Sequence, residues 1–123
     1  MNENKKIWLS PPHMGGRERE LVQEVFDINW ISPAGPHIDI FEERLSNISL
    51  NYSVAALSSG TAAIHLALIL LGVKRNDVVI CPSFTFSATV NPVKYLGANP
   101  VFIDSDKETW NMCPQLLLKS IEE

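Results

Sequence analysis

From Tyr52 onward the chain alternates short apolar runs with turn residues and helical stretches, and no other feature constrains its fold as strongly. Val54-Ala55-Ala56-Leu57 reads as a buried strand, Ser58-Ser59-Gly60 as a turn, and residues 61–71 as an apolar helix that Gly72 ends. Asn76-Asp77 turns the chain into a second run, Val78-Val79-Ile80, which Pro82 closes. Residues 83–97 are expected to hold another helix, Ala98-Asn99 a turn, and Pro100-Val101-Phe102-Ile103-Asp104 a third strand. Short apolar strands separated by helices predict a parallel α/β sheet buried on both faces, because parallel strands need crossover connections. Residues 114–123 then begin a helix with Leu116, Leu117, Leu118 and Ile121 to bury, but no strand follows to complete the crossover. The expectation is therefore a domain cut short, with an unpaired sheet edge, uncovered apolar helix faces and marginal stability on its own.

The first part of the chain reads differently. Lys6 to Ser10 can be extended, Pro11-Pro12 stops any regular element, and Gly15-Gly16 opens a new one, so this segment is expected to be an arm. Leu21, Val22, Val25 and Phe26 fall at helical spacing within residues 17–29, opposite Arg17, Glu18, Glu20 and Glu24. A breaker-rich loop, Ile31-Ser32-Pro33-Ala34-Gly35-Pro36, separates that amphipathic helix from a second one marked by Ile38, Phe41, Leu45 and Ile48. The organisation expected is one partial domain over residues 1–123, with an arm and helices in 1–51 and the start of an α/β domain in 52–123.

Composition excludes several functions. A net charge of -4 with scattered Lys and Arg leaves no basic face for nucleic acid. No stretch reaches the roughly 20 apolar residues a bilayer crossing needs, and the first residues lack a secretory apolar segment, so the cytoplasm is the expected compartment. Cys81 and Cys113 are far apart and form neither a CxxC pair nor part of a zinc cluster, so reduced thiols and no metal are expected.

Two segments could carry chemistry. In Leu57-Ser58-Ser59-Gly60-Thr61 a turn opens a buried helix, where free backbone N–H groups and the positive end of the helix dipole favour an anion. Gly60 would let a phosphate approach closely, and the Ser59 and Thr61 hydroxyls could add donors. Taken alone the motif is short, and a plain helix cap by Ser59 or Thr61 explains it as well. It matches neither the dinucleotide fingerprint nor the P-loop. The second segment, Cys81-Pro82-Ser83-Phe84-Thr85-Phe86-Ser87-Ala88-Thr89, follows the second strand, where ligands of α/β sheets gather. Phe86 could cover a flat ring there or simply join the core.

Three blocks in order, residues 56–68, Pro82-Ser83-Phe84-Thr85-Phe86-Ser87-Ala88-Thr89, and Tyr95-Leu96-Gly97-Ala98-Asn99-Pro100-Val101-Phe102-Ile103-Asp104, closely resemble the DegT/DnrJ/StrS family of sugar aminotransferases. Leu9-Ser10-Pro11-Pro12, Trp30-Ile31-Ser32-Pro33-Ala34-Gly35 and Phe41-Glu42 are similar to the same family's start. The resemblance implies the amino-terminal part of the large domain of a fold-type I enzyme dependent on pyridoxal 5'-phosphate (PLP). It also implies that Gly60 and Thr61, with Ser59 as a weaker carry-over, hold the cofactor phosphate and that Phe86 stacks on its pyridine ring. The activity implied is transfer of an amino group, with glutamate as donor, to a nucleotide-linked keto sugar, in a homodimer to whose shared site residues 31–36 contribute.

The same resemblance puts the Schiff-base lysine and the carboxylate on the pyridine nitrogen beyond residue 123. The six lysines, Lys5, Lys6, Lys74, Lys94, Lys107 and Lys119, stand in no matching motif, and exposed solvating roles are expected for all. No catalytic residue is therefore assigned, and a chain inactive alone, a truncated fragment or a pseudoenzyme that binds phosphate or a partner subunit, is the alternative expectation. Asp104 is expected to serve structure or a turn, His65 packing, His13 and His37 solvent contact, and Glu42-Glu43 a polar helix face.

Overall fold

The structure is a computed structural model that describes residues 6–50 and 52–122. It divides into two compact units, one ending at Ala56 and the other starting at Leu57.

In the first unit, residues 6–17 form no regular element, and two helices follow: α1, Glu18–Asp27, and α2, Pro36–Ile48. The α1 start is closed by the Glu18 carboxylate, which accepts the N–H groups of Gly15 and Gly16 and so supplies acceptors for donors that helix geometry leaves orphaned nearby. Between the helices the loop folds around Trp30, whose Nε1–H donates to the Ala34 carbonyl at 2.6 Å. Gly35 caps α2 at φ 143°, and a Cβ there would sit 2.1 Å from Trp30 Nε1, so only glycine fits this corner. Neither helix contains a fully buried residue.

The run Val54-Ala55-Ala56-Leu57 is not a strand. Among the described residues no neighbouring strand pairs with it, and the Ala56 N–H donates instead to Glu42 Oε1 at 2.7 Å. Apolar character proposes a strand, but a ladder requires a partner. Glu42 is thereby more than a solvated face residue: it anchors the end of the unit. His37 also departs from the solvent-facing expectation, being half-buried with Nε2 3.9 Å from Glu24 Oε1 of α1.

The second unit is the α/β part. Helix α3, Gly60–Leu70, leads to strand β1, Val78–Pro82; a 3-10 turn, Ser87–Thr89, and helix α4, Asn91–Tyr95, connect to strand β2, Asn99–Ile103; helix α5, Pro114–Glu122, follows. The strands pair in parallel, Val78 opposite Asn99 through Pro82 opposite Ile103. Both helix ends close as the glycines require. Gly72 N–H bonds Ile69 O and Val73 N–H bonds Leu68 O; Gly97 N–H bonds Lys94 O and Ala98 N–H bonds Val93 O. That paired pattern satisfies the last carbonyls of each helix.

The helix expected within residues 83–97 is α4, preceded by the 3-10 turn. Pro92 lacks a donor and disfavours helical geometry in the residue before it, so a helix containing it must begin close to it. Burial of the strands on both faces is also not found: Cys81, Val93 and Ala98 form the core, lined by Leu68, Val73, Val79 and Val90, while Val78 and Phe102 stay exposed. Helix α3 is apolar around its whole circumference and yet has no fully buried residue. A helix of that pattern fits a site covered on every side, and two strands with one short helix cover only part of it. No helix among the described residues is long and apolar enough to cross a membrane.

Candidate cofactor site

The turn into α3 forms as the sequence dictates. Ser59 is extended at φ -164° and its Oγ accepts the Ala62 N–H at 3.1 Å, while its carbonyl accepts the Ala63 N–H at 3.1 Å. The simple capping role is therefore real for Ser59, and it leaves the hydroxyl proton of Ser59 available to donate. Among the described residues the N–H groups of Gly60 and Thr61 have no acceptor. Nothing in the chain lies within 4 Å of where a Gly60 Cβ would be. Glycine at 60 is thus not demanded by the protein's own packing, and the space above it is open to a ligand. Two unspent N–H donors and the positive helix end lie beside that space, with the Ser59 and Thr61 hydroxyls on the flanking residues, which is the arrangement an anion needs.

Phe86 lies past the carboxyl end of β1. Its ring is 79% exposed, while its backbone is held: the Phe86 carbonyl accepts the Thr89 N–H at 2.9 Å, and Thr85 Oγ1 bonds Thr89 Oγ1 at 2.9 Å. Phe86 stands outside the core formed by the described residues. Helix α3 packs against the 3-10 turn that begins one residue after Phe86, so the fold brings the platform segment against the helix that Gly60 and Thr61 open.

The remaining candidates fall into structural roles. Asp104 follows β2 and accepts the Ser105 N–H at 2.8 Å and the Ser83 hydroxyl at 3.0 Å, which together hold its carboxyl below the usual carboxylate range. His65 packs edge-on to Tyr95, centroids 5.5 Å apart. Cys81 is buried in the core, where burial pushes its thiol up, away from nucleophilic use. Lys6 lies over the Trp8 ring at 3.9 Å. Lys74, Lys94 and Lys107 are exposed, in a turn, a helix end and a loop, and Lys119 lies on α5; Lys5 lies outside the described residues. No group of His, Cys, Asp and Glu that could hold a metal ion occurs among the described residues.

A sequence profile of the DegT/DnrJ/EryC1/StrS aminotransferase family matches residues 12–123. The chain belongs to that family. It is 56% identical over 120 residues to EpsN of Bacillus subtilis, which bears a provisional name as a pyridoxal phosphate-dependent aminotransferase; the match covers 98% of this chain and 31% of EpsN. It is 44% identical over 108 residues to a GDP-perosamine synthase of Escherichia coli, covering 88% of this chain and 30% of that protein. Among solved structures, a Streptococcus pneumoniae protein provisionally named a sugar aminotransferase superposes in its PLP-form with a TM-score of 0.83 at 33% identity, over 94% of this chain and 29% of that one. The same protein is known in a PMP-form, TM-score 0.84.

The family member described here is an α/β chain with a parallel sheet, as the sequence predicts, and it spans about a third of the length of these curated relatives. The family's dependence on pyridoxal phosphate, expected from the resemblance, is met by the PLP- and PMP-forms of the solved relative. The residues present suit that group. An open glycine with unspent N–H donors fits a phosphate, and an exposed aromatic on a held backbone fits a flat heterocycle.

Sequence reasoning missed the residues that brace the loop bearing Phe86. The sequence places Ser83 in the ligand-facing segment after β1 but gives it no partner, and it does not point to Trp110, whose ring packs on Phe84 with centroids 5.6 Å apart. The one local signal was Asp106 with Thr109: the Asp106 carboxylate accepts the Glu108 and Thr109 N–H groups and shapes the loop bearing Trp110. The 21-residue separation of Ser83 and Asp104 carries no local signal at all.

Proposed function

We propose that this chain supplies the phosphate cup and ring platform of a PLP-dependent aminotransferase that delivers an amino group to a nucleotide-linked keto sugar. The observation that carries the reading is the start of α3, where Gly60 and Thr61 present donors with no acceptor toward open space. Gly60 and Thr61 N–H groups bind the phosphate, the Ser59 and Thr61 hydroxyls complete the cup, and Phe86 orients the ring and excludes water from one of its faces. When bound, pyridoxal phosphate supplies the electron sink that lets an amino group be carried between donor and acceptor. Glutamate as donor and a homodimer as the assembly complete the reading on the strength of the family resemblance. The GDP-linked sugar in the name of the Escherichia coli relative supports the nucleotide-linked acceptor.

The test is a titration of the chain with pyridoxal phosphate, competed with inorganic phosphate and followed by borohydride reduction and peptide mapping. Binding that phosphate displaces, with no single lysine modified, is the expected result. Binding indifferent to phosphate would sink the cup, and one specifically modified lysine would show that the chain carries its own cofactor lysine.

A further inference from the structure

The carboxyl ends of β1 and β2 lie side by side in the parallel pair, and the segment leaving each is tied to the other. The Ser83 N–H donates to the Ile103 carbonyl at 2.9 Å, extending the ladder one residue beyond the strands. The Ser83 hydroxyl donates to Asp104 Oδ1 at 3.0 Å, and that oxygen also accepts the Ser105 N–H at 2.8 Å. One residue further on, Phe84 leans on Trp110, which sits on the loop shaped by Asp106. Beyond Phe86, Thr89 returns a hydrogen bond to the Phe86 carbonyl. The loop 83–86 is therefore fixed on both sides of a ring that is itself left exposed.

We propose that Asp104 is a positioning residue for the cofactor ring: it fixes Ser83, and through Ser83 the loop that presents Phe86. This inference rests on the reading of Phe86 as the ring platform. An exposed aromatic on a free loop would lose conformational entropy each time it stacked on a ligand, and a braced loop has given up that freedom in advance. The carboxylate suits the task because one oxygen can accept from Ser83 and from Ser105 together, tying the exit of β1 to the exit of β2. Asparagine keeps an acceptor oxygen in the same place; alanine does not.

The experiment uses the chain itself with Ser83→Ala, Asp104→Ala and Asp104→Asn, and reads two quantities. Without cofactor, amide hydrogen exchange at residues 84–89 should quicken in Ser83→Ala and Asp104→Ala and stay close to the parent in Asp104→Asn. With pyridoxal phosphate, Asp104→Ala should weaken binding about fivefold, the scale of one hydrogen bond, and leave inorganic phosphate binding at the cup unchanged. In a Phe86→Ala background Asp104→Ala should cost nothing further, because its effect passes through that ring. Ser83→Ala keeps the Asp104–Ser105 bond, so it decides the matter if Asp104→Ala does not fold. Unchanged exchange in Ser83→Ala, or a loss of phosphate binding equal to the loss of pyridoxal phosphate binding, would overturn the proposal. Failure of the parent chain to bind either ligand would instead overturn the cofactor reading, and the exchange data would still decide whether Asp104 holds the loop.

Discussion

Residues 59–61 and residues 83–86 are read as meeting the same cofactor, but they are prepared for it by different means. The cup is finished within four residues: Ser59 caps the helix, and the donors it does not use belong to the next two residues. The platform depends on partners far along the chain, Asp104 and Trp110, and on two strands lying in register. A helix start generates its own anion site because the first N–H groups of any helix lack partners. An aromatic ring has no comparable local instruction for where to stand. The difference predicts that the cup is sensitive to single local substitutions and that the platform is sensitive to anything that loosens the far end of the sheet.

The largest effect should come from Gly60→Ala. The added methyl meets nothing within 4 Å in the chain, so thermal stability should hold or rise slightly, while pyridoxal phosphate and inorganic phosphate both bind about tenfold more weakly as the close approach is lost. A thermal melt and a titration on the same sample separate the two; equal affinity would show that no anion sits over Gly60. Phe86→Ala should follow, weakening pyridoxal phosphate about fivefold, a stacking energy of roughly 1 kcal/mol, with phosphate binding and melting unchanged because the ring is already exposed.

Ser59→Ala should act on stability more than on binding. Loss of the cap bond to Ala62 should cost about 1 kcal/mol, read as a lowered denaturation midpoint, with the Gly60 and Thr61 donors still in place. The smallest effect should be a response to acid that, within the second unit, falls on residues 104–109 and not on the helix start. Asp104 and Asp106 both have folded values below their ordinary ones, Asp104 through Ser105 and Ser83, Asp106 through the Thr109 and Glu108 N–H groups and the Thr109 hydroxyl. A lowered folded pKa stabilises above the ordinary carboxylate range, and that contribution is lost as pH falls through the lowered folded value. Protonated Asp104, like asparagine at that position, keeps an acceptor oxygen, so the response should centre on the Asp106 turn: hydrogen exchange at residues 106–110 should quicken toward acid, corrected for intrinsic rates, while residues 59–62, with no titrating side chain, should not respond. A parallel change at residues 59–62 would erase the distinction.

Much of this was readable before any coordinates, and the exceptions share a cause. The helix end at Gly72, the apolar strand runs 78–80 and 100–104 with their parallel direction, and the cap at Ser59 all follow from local residue chemistry and hydrophobic period. Val54-Ala55-Ala56-Leu57 failed as a strand because an apolar run says nothing about whether a partner lies beside it, and Glu42 took the donor a partner would have used. The helix expected within residues 83–97 is present as α4, shorter than the segment because Pro92 must lie near its start.

The sequence by itself determined the family, the α/β class, and which residue caps helix α3, since each of these is written in contiguous residues whose backbone geometry is set by their neighbours. Only the tertiary structure decided that Phe86 stands exposed, that Ser83 and Asp104 meet, and that Glu42 closes the first unit. Those facts depend on which segments come together in space, and a hydrogen bond between residues 21 positions apart is fixed by the register of two strands, which neither residue encodes alone.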